Sequence, residues 1–186
     1  MSERRNCVIQ LTHTRQLSCP RTRTLATSVA PSDLPPRPSR SLAGKVAIVT
    51  GAGSRGTGLG NGRAISLLLA EDGCSVVCGD LNASWAEKTA EMINTSSAPS
   101  HPAGPKPGQA VAVAADVTLD ADCAALAAAA VARFGRLDIL VNVVGVLGPR
   151  GTAVDVDAAQ WARGLETNVT SSMRLRAFPV APRDKL

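Results

Sequence analysis

The sequence has no tyrosine, and only two phenylalanines and two tryptophans among its 186 residues. No phenol is therefore available for acid–base chemistry. Histidine is nearly absent too: His13 and His101 both fall in loop-like sequence with no partner that could share a metal. The five cysteines, at 7, 19, 74, 78 and 123, form no pair at metal-ligand spacing. Cys74 and Cys78 lie in one predicted strand, roughly 13 Å apart at about 3.3 Å per residue, too far for a disulfide. An odd, scattered set in a chain without a secretory signal predicts reduced thiols and a protein that is not secreted. No apolar run approaches the roughly 18 residues that a membrane span needs, so no membrane partner is expected.

The domain also lacks a charge excess. The net charge of +5 resides in residues 1–40, where seven arginines face only Glu3 and Asp33. The remainder balances, thirteen basic against thirteen acidic residues. A basic nucleic-acid-binding face on the domain therefore has no support. Residues 1–40 carry Arg, Ser, Thr and Pro without apolar periodicity and are predicted to be a disordered leader. Its composition also fits an organelle transit peptide, although Glu3 is an early acid for that reading. A cytoplasmic and a mitochondrial location both stay open.

What is present begins at Lys45. Val46 to Val49 is a short apolar run suited to a central parallel strand, and Thr50-Gly51 closes it. Six glycines fall between Gly51 and Gly62, and Ala64 to Ala70 reads as a helix that Asp72-Gly73 ends. In that strand–turn–helix context glycine permits a tight turn and close backbone approach to a pyrophosphate at the helix N-terminus. Cys74 to Asp80 is a second strand, ending in an acid about 20 residues after the glycine turn, where an acid can hydrogen-bond the adenine ribose. Ser84, with Glu87 as a capping box, starts a second helix. Thr95 to Gln109 reads as a long surface loop.

Ala110 to Asp116 is a third strand, and Thr118 is expected to cap a helix that Phe134-Gly135 ends. Leu137 to Gly145 is a fourth strand. Asp157 and Gln160 form a capping pair before a helix through Trp161, Leu165, Asn168 and Val169, which Pro179 must end. Strand–helix alternation of this kind predicts an α/β fold, a doubly wound, Rossmann-like parallel sheet. The expected organisation is a leader over 1–40, a dinucleotide-binding domain over 41–178 that holds four strands only, and an irregular tail over 179–186.

From about Leu42 to Arg174 the sequence resembles the short-chain dehydrogenase/reductase family. Thr50-Gly51 and a later Gly-x-Gly look like the family's Thr-Gly-x-x-x-Gly-x-Gly turn. The turn is longer than the family's, so Gly56/Gly58, Gly58/Gly60 and Gly60/Gly62 are all possible registers. Gly58-Leu59-Gly60 has the usual apolar middle residue and is preferred, whereas Gly60/Gly62 aligns the helix start better. Asp80 matches the acid that marks preference for NAD over NADP, and Leu81 after it adds no positive charge, whereas Arg55 in the glycine turn could pair with the 2′-phosphate of NADP. Asp116-Val117 matches the pair that contacts adenine. Asn142-Val143-Val144-Gly145 resembles the Asn-Asn-Ala-Gly segment, with the second Asn and the Ala lost. Asn168 matches the Asn of the family's catalytic tetrad. The resemblance implies cofactor contacts from Gly51, Ser54, Gly58, Leu59, Gly60, Asp80, Leu81, Asp116, Val117, Asn142, Val144 and Gly145. It also implies homo-oligomers and hydride transfer between nicotinamide and a small alcohol or ketone.

The family's catalytic Ser and its Tyr-x-x-x-Lys have no counterpart here; Ser171 and Ser172 stand too close to Asn168. The chain is therefore expected to be a truncated, inactive form of an NAD-dependent oxidoreductase. The alternative is a non-catalytic NAD-binding or interaction module.

Overall fold

The computed structural model of the protein describes residues 41–56, 58–96, 105–152 and 154–176. The predicted leader and tail, and the loop's middle over 97–104, lie outside the described residues. Four strands form one parallel sheet: β1 (Val46–Thr50), β2 (Ser75–Asp80), β3 (Ala110–Ala114) and β4 (Ile139–Asn142), in the order β3-β2-β1-β4. Helices α1 (Asn61–Glu71), α2 (Ala83–Thr95) and α3 (Asp120–Phe134) connect them in turn. After β4 come α4 (Ala158–Leu165), a π-helical turn (Glu166–Thr170) and α5 (Ser171–Arg176).

Strand alternation divides the core between two faces. Val46, Ile48 and Val77 pack with Cys123, Leu126 and Ala130 of α3 and Leu175 of α5. Val49, Val76 and Cys78 pack with Ala70 of α1 and with Ala90 and Ile93 of α2. β1 is buried along its whole length, as a central strand covered on both faces must be. The chain reverses its direction across the sheet after β3, passing through α3 to β4 on the far side of β1. The crevice at the C-terminal ends of β1 and β4 is therefore the topological switch point, where such sheets take ligands.

The other end of the sheet is tied by Asp138. Its carboxylate accepts the Val46 N–H at 2.9 Å and pairs with Arg136 and, at 3.5 Å, with Lys45. Burial opposes that charge, but the Arg136 hydrogen bond, the Val46 N–H and the two cations hold its pKa below the usual carboxylate value. On the outer side of β3, the Asn94 amide stands in for a neighbouring peptide. It donates to the Ala110 carbonyl at 3.0 Å and accepts the Ala110 N–H at 2.9 Å. No described helix is long and apolar enough to cross a membrane.

The doubly wound fold is as the sequence predicts, with local corrections. Ser84 does not cap α2: Asn82 does, accepting the Trp85 N–H, while Ser84 donates to Asn82 at 2.7 Å. Thr118 does not cap α3 either; Leu119 holds that position without a side-chain bond. The Thr118 N–H and hydroxyl both go to Asp116, an Asx-type turn that outcompetes the cap. β3 stops at Ala114 and β4 at Asn142, both shorter than their apolar runs. Beyond Asn142, the Val143 N–H turns to the Thr50 hydroxyl at 3.4 Å instead of a strand ladder. The Asp157 cap on Gln160 holds at 2.7 Å. The helix after it passes through a π turn at Asn168. The stop expected at Pro179 falls outside the described residues.

Candidate active site

Gly51 turns the chain out of β1 with φ +66°, a conformation that side chains with a Cβ rarely adopt. The turn then runs to Gly60, the N-cap of α1. Gly62 lies in the first turn of that helix, against the end of β1. A Cβ there would lie 1.9 Å from the Gly51 carbonyl oxygen, so only glycine lets α1 start so close to the strand. The Ser54 hydroxyl folds back to accept the Gly60 N–H at 3.1 Å. Gly58 sits within the extra length of the turn and Leu59 is 67% exposed. The close helix–strand packing thus falls on Gly62, which the preferred register Gly58-Leu59-Gly60 leaves out.

Beneath the turn lies a residue that sequence reasoning missed. Arg63 is 1% exposed, and its guanidinium donates to the carbonyls of Ser54, Gly56 and Gly58 and to the Thr89 hydroxyl. Thr89, fully buried on α2, donates in turn to the Ala52 carbonyl at 2.9 Å. A buried charge persists only when it is paired or fully hydrogen-bonded, and loop carbonyls do that here. The one signal in the sequence was an arginine at a helical position whose neighbours Ala64 and Ile65 are apolar.

Asp80, at the end of β2, reaches the same turn. Oδ2 accepts the Gly53 N–H at 2.9 Å and Oδ1 accepts the Asn82 N–H at 2.9 Å. Each oxygen keeps a second lone pair, so capacity to accept two further hydrogen bonds remains. A Cβ on Gly53 would meet the Trp85 Cβ at 2.5 Å and Asp80 Oδ2 at 2.7 Å, which closes this corner. Leu81 is 75% exposed and adds no charge.

Past β3, Asp116 accepts both Thr118 donors, and these bonds hold its pKa below the usual carboxylate value. The Asp116 N–H goes to Asp122 at 2.8 Å, and Val117 is buried in the α3 face. Past β4, Asn142 pairs with Thr50, and Val144 packs so close to Gly51 that a Cβ there would meet its N at 3.1 Å. Asn168 binds the exposed Val146 backbone at two points, donating to its carbonyl at 2.9 Å and accepting its N–H at 2.8 Å. It thereby fixes the loop that follows Gly145. The structure brings Gly51, Gly60, Asp80, Asn142, Val144 and Gly145 to one end of the sheet. Asn168 joins through Val146.

Groups suited to metal binding or nucleophilic chemistry are few among the described residues here. Among the described residues no cluster of His, Cys, Asp or Glu could hold a metal. Burial, only partly offset by the neighbouring Ser66 hydroxyl, pushes the Cys78 thiol up to about 12, which disfavours the thiolate. Cys74 rises to about 11 for the same first reason, with Asp138 adding to it.

Residues 45–178 match the family model described as short chain dehydrogenase. The chain is 37% identical over 141 residues to the 7alpha-hydroxysteroid dehydrogenase of Escherichia coli K12, covering 76% of this chain and 48% of that protein. It is 36% identical over 130 residues to a cis-4-hydroxycyclohexanecarboxylate dehydrogenase of Sinomonas cyclohexanicum, covering 70% of this chain and 46% of that protein. Among solved structures, a short-chain dehydrogenase/reductase from Burkholderia xenovorans aligns with a TM-score of 0.63 at 41% identity, covering 74% of this chain and 48% of that one. A 7alpha-hydroxysteroid dehydrogenase complexed with NADH and 7-oxo glycochenodeoxycholic acid aligns at 0.61 and 36% identity, covering 73% and 46%. The chain spans about half the length of the curated relatives it matches. With a family model matched over residues 45–178, on a sheet that carries a glycine turn feeding α1, an acid ending β2 and an Asn-braced loop after β4, the chain belongs to the short-chain dehydrogenase family.

Proposed function

We propose that the chain binds NAD(H) across the C-terminal ends of β1 to β4, as the dinucleotide-binding half of an alcohol/ketone oxidoreductase. The observation that carries this is the Asp80–Gly53 hydrogen bond at 2.9 Å, which sets one carboxylate beside the glycine turn. A dinucleotide needs both together, amides for its pyrophosphate and an acceptor for its adenosine ribose. Gly60, Asn61 and Gly62 open α1 under the pyrophosphate, with Gly51, Ser54, Gly58 and Leu59 shaping the turn. Asp80 and Leu81 line the ribose, Asp116 and Val117 the adenine. Asn142, Val144 and Gly145 line the second ribose, and Asn168 holds the loop beyond them. The nicotinamide would supply the hydride chemistry; these residues bind and orient it.

Asp80 favours NAD over NADP, because a 2′-phosphate beside its carboxylate is repelled. NADH should bind more tightly than NADPH, read by quenching of Trp85 fluorescence, and Asp80→Asn should narrow the difference. Tighter binding of NADPH to the unaltered chain would overturn the preference. The 186 residues contain no tyrosine to exchange a proton with a substrate oxygen, a contribution of about 10²–10⁴-fold. Binding without turnover is therefore expected of this chain. Reduction of NAD with a simple secondary alcohol, above a mock-purified control, would refute that.

A further inference from the structure

The glycine turn is longer than a tight strand–helix turn requires, and glycine-rich backbone is costly to order. Something must therefore hold it, and Arg63 is placed to do so. Its Nη1 donates to the Gly58 and Gly56 carbonyls at 2.7 and 3.3 Å, and its Nη2 to the Ser54 carbonyl at 3.2 Å. Its Nε is fixed at 3.1 Å by Thr89, a residue of a different helix that is itself tied to Ala52. The guanidinium is planar, so four bonds in a fork define the loop's path in a way that a single ammonium cannot.

The carbonyl directions have a consequence for the amides. In a planar trans peptide the N–H points opposite to the C=O, and no peptide among the described residues is cis. Drawing the Ser54 and Gly58 carbonyls onto Arg63 turns the N–H groups of Arg55 and Leu59 away from it. Neither amide has an acceptor among the described residues. The loop is thus held with donors facing outward beside the start of α1, and the cation lies beneath.

We propose that Arg63 is a positioning residue for the dinucleotide. With Thr89 it holds the lengthened glycine turn so that the Arg55 and Leu59 amides meet the pyrophosphate. This rests on the NAD(H)-binding reading above. Because Arg63 already holds Ser54, Gly56 and Gly58 before the ligand arrives, binding avoids the cost of fixing them.

The test uses the 186-residue chain and three probes: NADH, ADP-ribose, which keeps the pyrophosphate, and adenosine, which lacks it. Arg63→Lys keeps the buried charge but not the fork, and Thr89→Val removes the hydroxyl with little change of shape. Either should weaken NADH and ADP-ribose by about 10- to 100-fold, the worth of a lost hydrogen bond to a charged group. Adenosine affinity should stay within about twofold, since its contacts are to Asp80 and Asp116. Thr89→Ser, which keeps the hydroxyl, should restore binding. Amide exchange in the variants should quicken over 53–60 and not over β2. If the unaltered chain binds none of the probes, the NAD(H) reading falls and this inference with it. If it binds ADP-ribose and both variants bind it equally well, only the role of Arg63 is refuted. Equal loss of adenosine and ADP-ribose affinity would also refute it, as that is the mark of general unfolding.

Discussion

Gly62→Ala adds a single methyl at the point where α1 meets the end of β1. Its carbon would lie 1.9 Å from the Gly51 oxygen, 2.7 Å from the Gly51 carbonyl carbon and 3.0 Å from the Ala52 Cα. All three are backbone atoms, so no side chain can rotate away. The helix start or the Gly51 turn must move. Alanine gains up to about 1 kcal/mol over glycine in a helix, but overpacking against fixed atoms costs about 1–3 kcal/mol or more. Contact with unyielding backbone puts the cost at the top of that range, so a net loss of about 2 kcal/mol remains; at about 2–4 °C per kcal/mol for a chain of this size, it lowers Tm by on the order of 5 °C. The displaced turn would also weaken NADH binding. Gly58→Ala is the matched control. Its nearest neighbours would be the Arg55 carbonyl and the Ser54 hydroxyl, both at 3.9 Å, and its φ carries no penalty. Thermal unfolding by circular dichroism, with and without NADH, compares the two. A Gly62→Ala chain melting within about 1 °C of the unaltered protein would show that the helix does not start against Gly51. A larger loss in Gly58→Ala would move the close packing back to the Gly58-Leu59-Gly60 register.

Two further outcomes are expected. Asp138→Ala should destabilise by about 1–3 kcal/mol, because the buried Val46 N–H loses its acceptor; the half-exposed Lys45 and Arg136 add little. Asp138 has a lowered folded-state pKa, so its contribution is complete above the unfolded value, about 3.9, and is lost as pH falls below it toward the folded one. Urea denaturation between pH 6 and pH 3 should therefore fall less steeply for the variant, and parallel curves would refute the anchor. Asn168→Ala should cost little stability, since both of its bonds are exposed, but should speed amide exchange at Val146. Unchanged exchange there would mean that Asn168 does not brace the loop.

The sequence by itself determined the sheet. Short apolar runs with β-branched residues, each followed by a helical segment, can bury both faces only as a parallel doubly wound sheet. That order brings Gly51, Asp80, Asp116 and Asn142 to the same end of the strands. The Asp157 cap was equally legible, because an Asn or Asp three residues before a helical amide acts locally. Local reading failed where two local partners competed, as at Thr118 and Ser84, whose hydroxyls were taken by Asp116 and Asn82. Only tertiary structure could show which glycine packs against the strand. Six glycines in a row of alternatives look alike until one of them must fit under the Gly51 carbonyl. The role of Arg63 was likewise invisible. Its chemistry depends on Thr89 lying 26 residues away on another helix, and on carbonyls that turn inward only once the loop has folded over it.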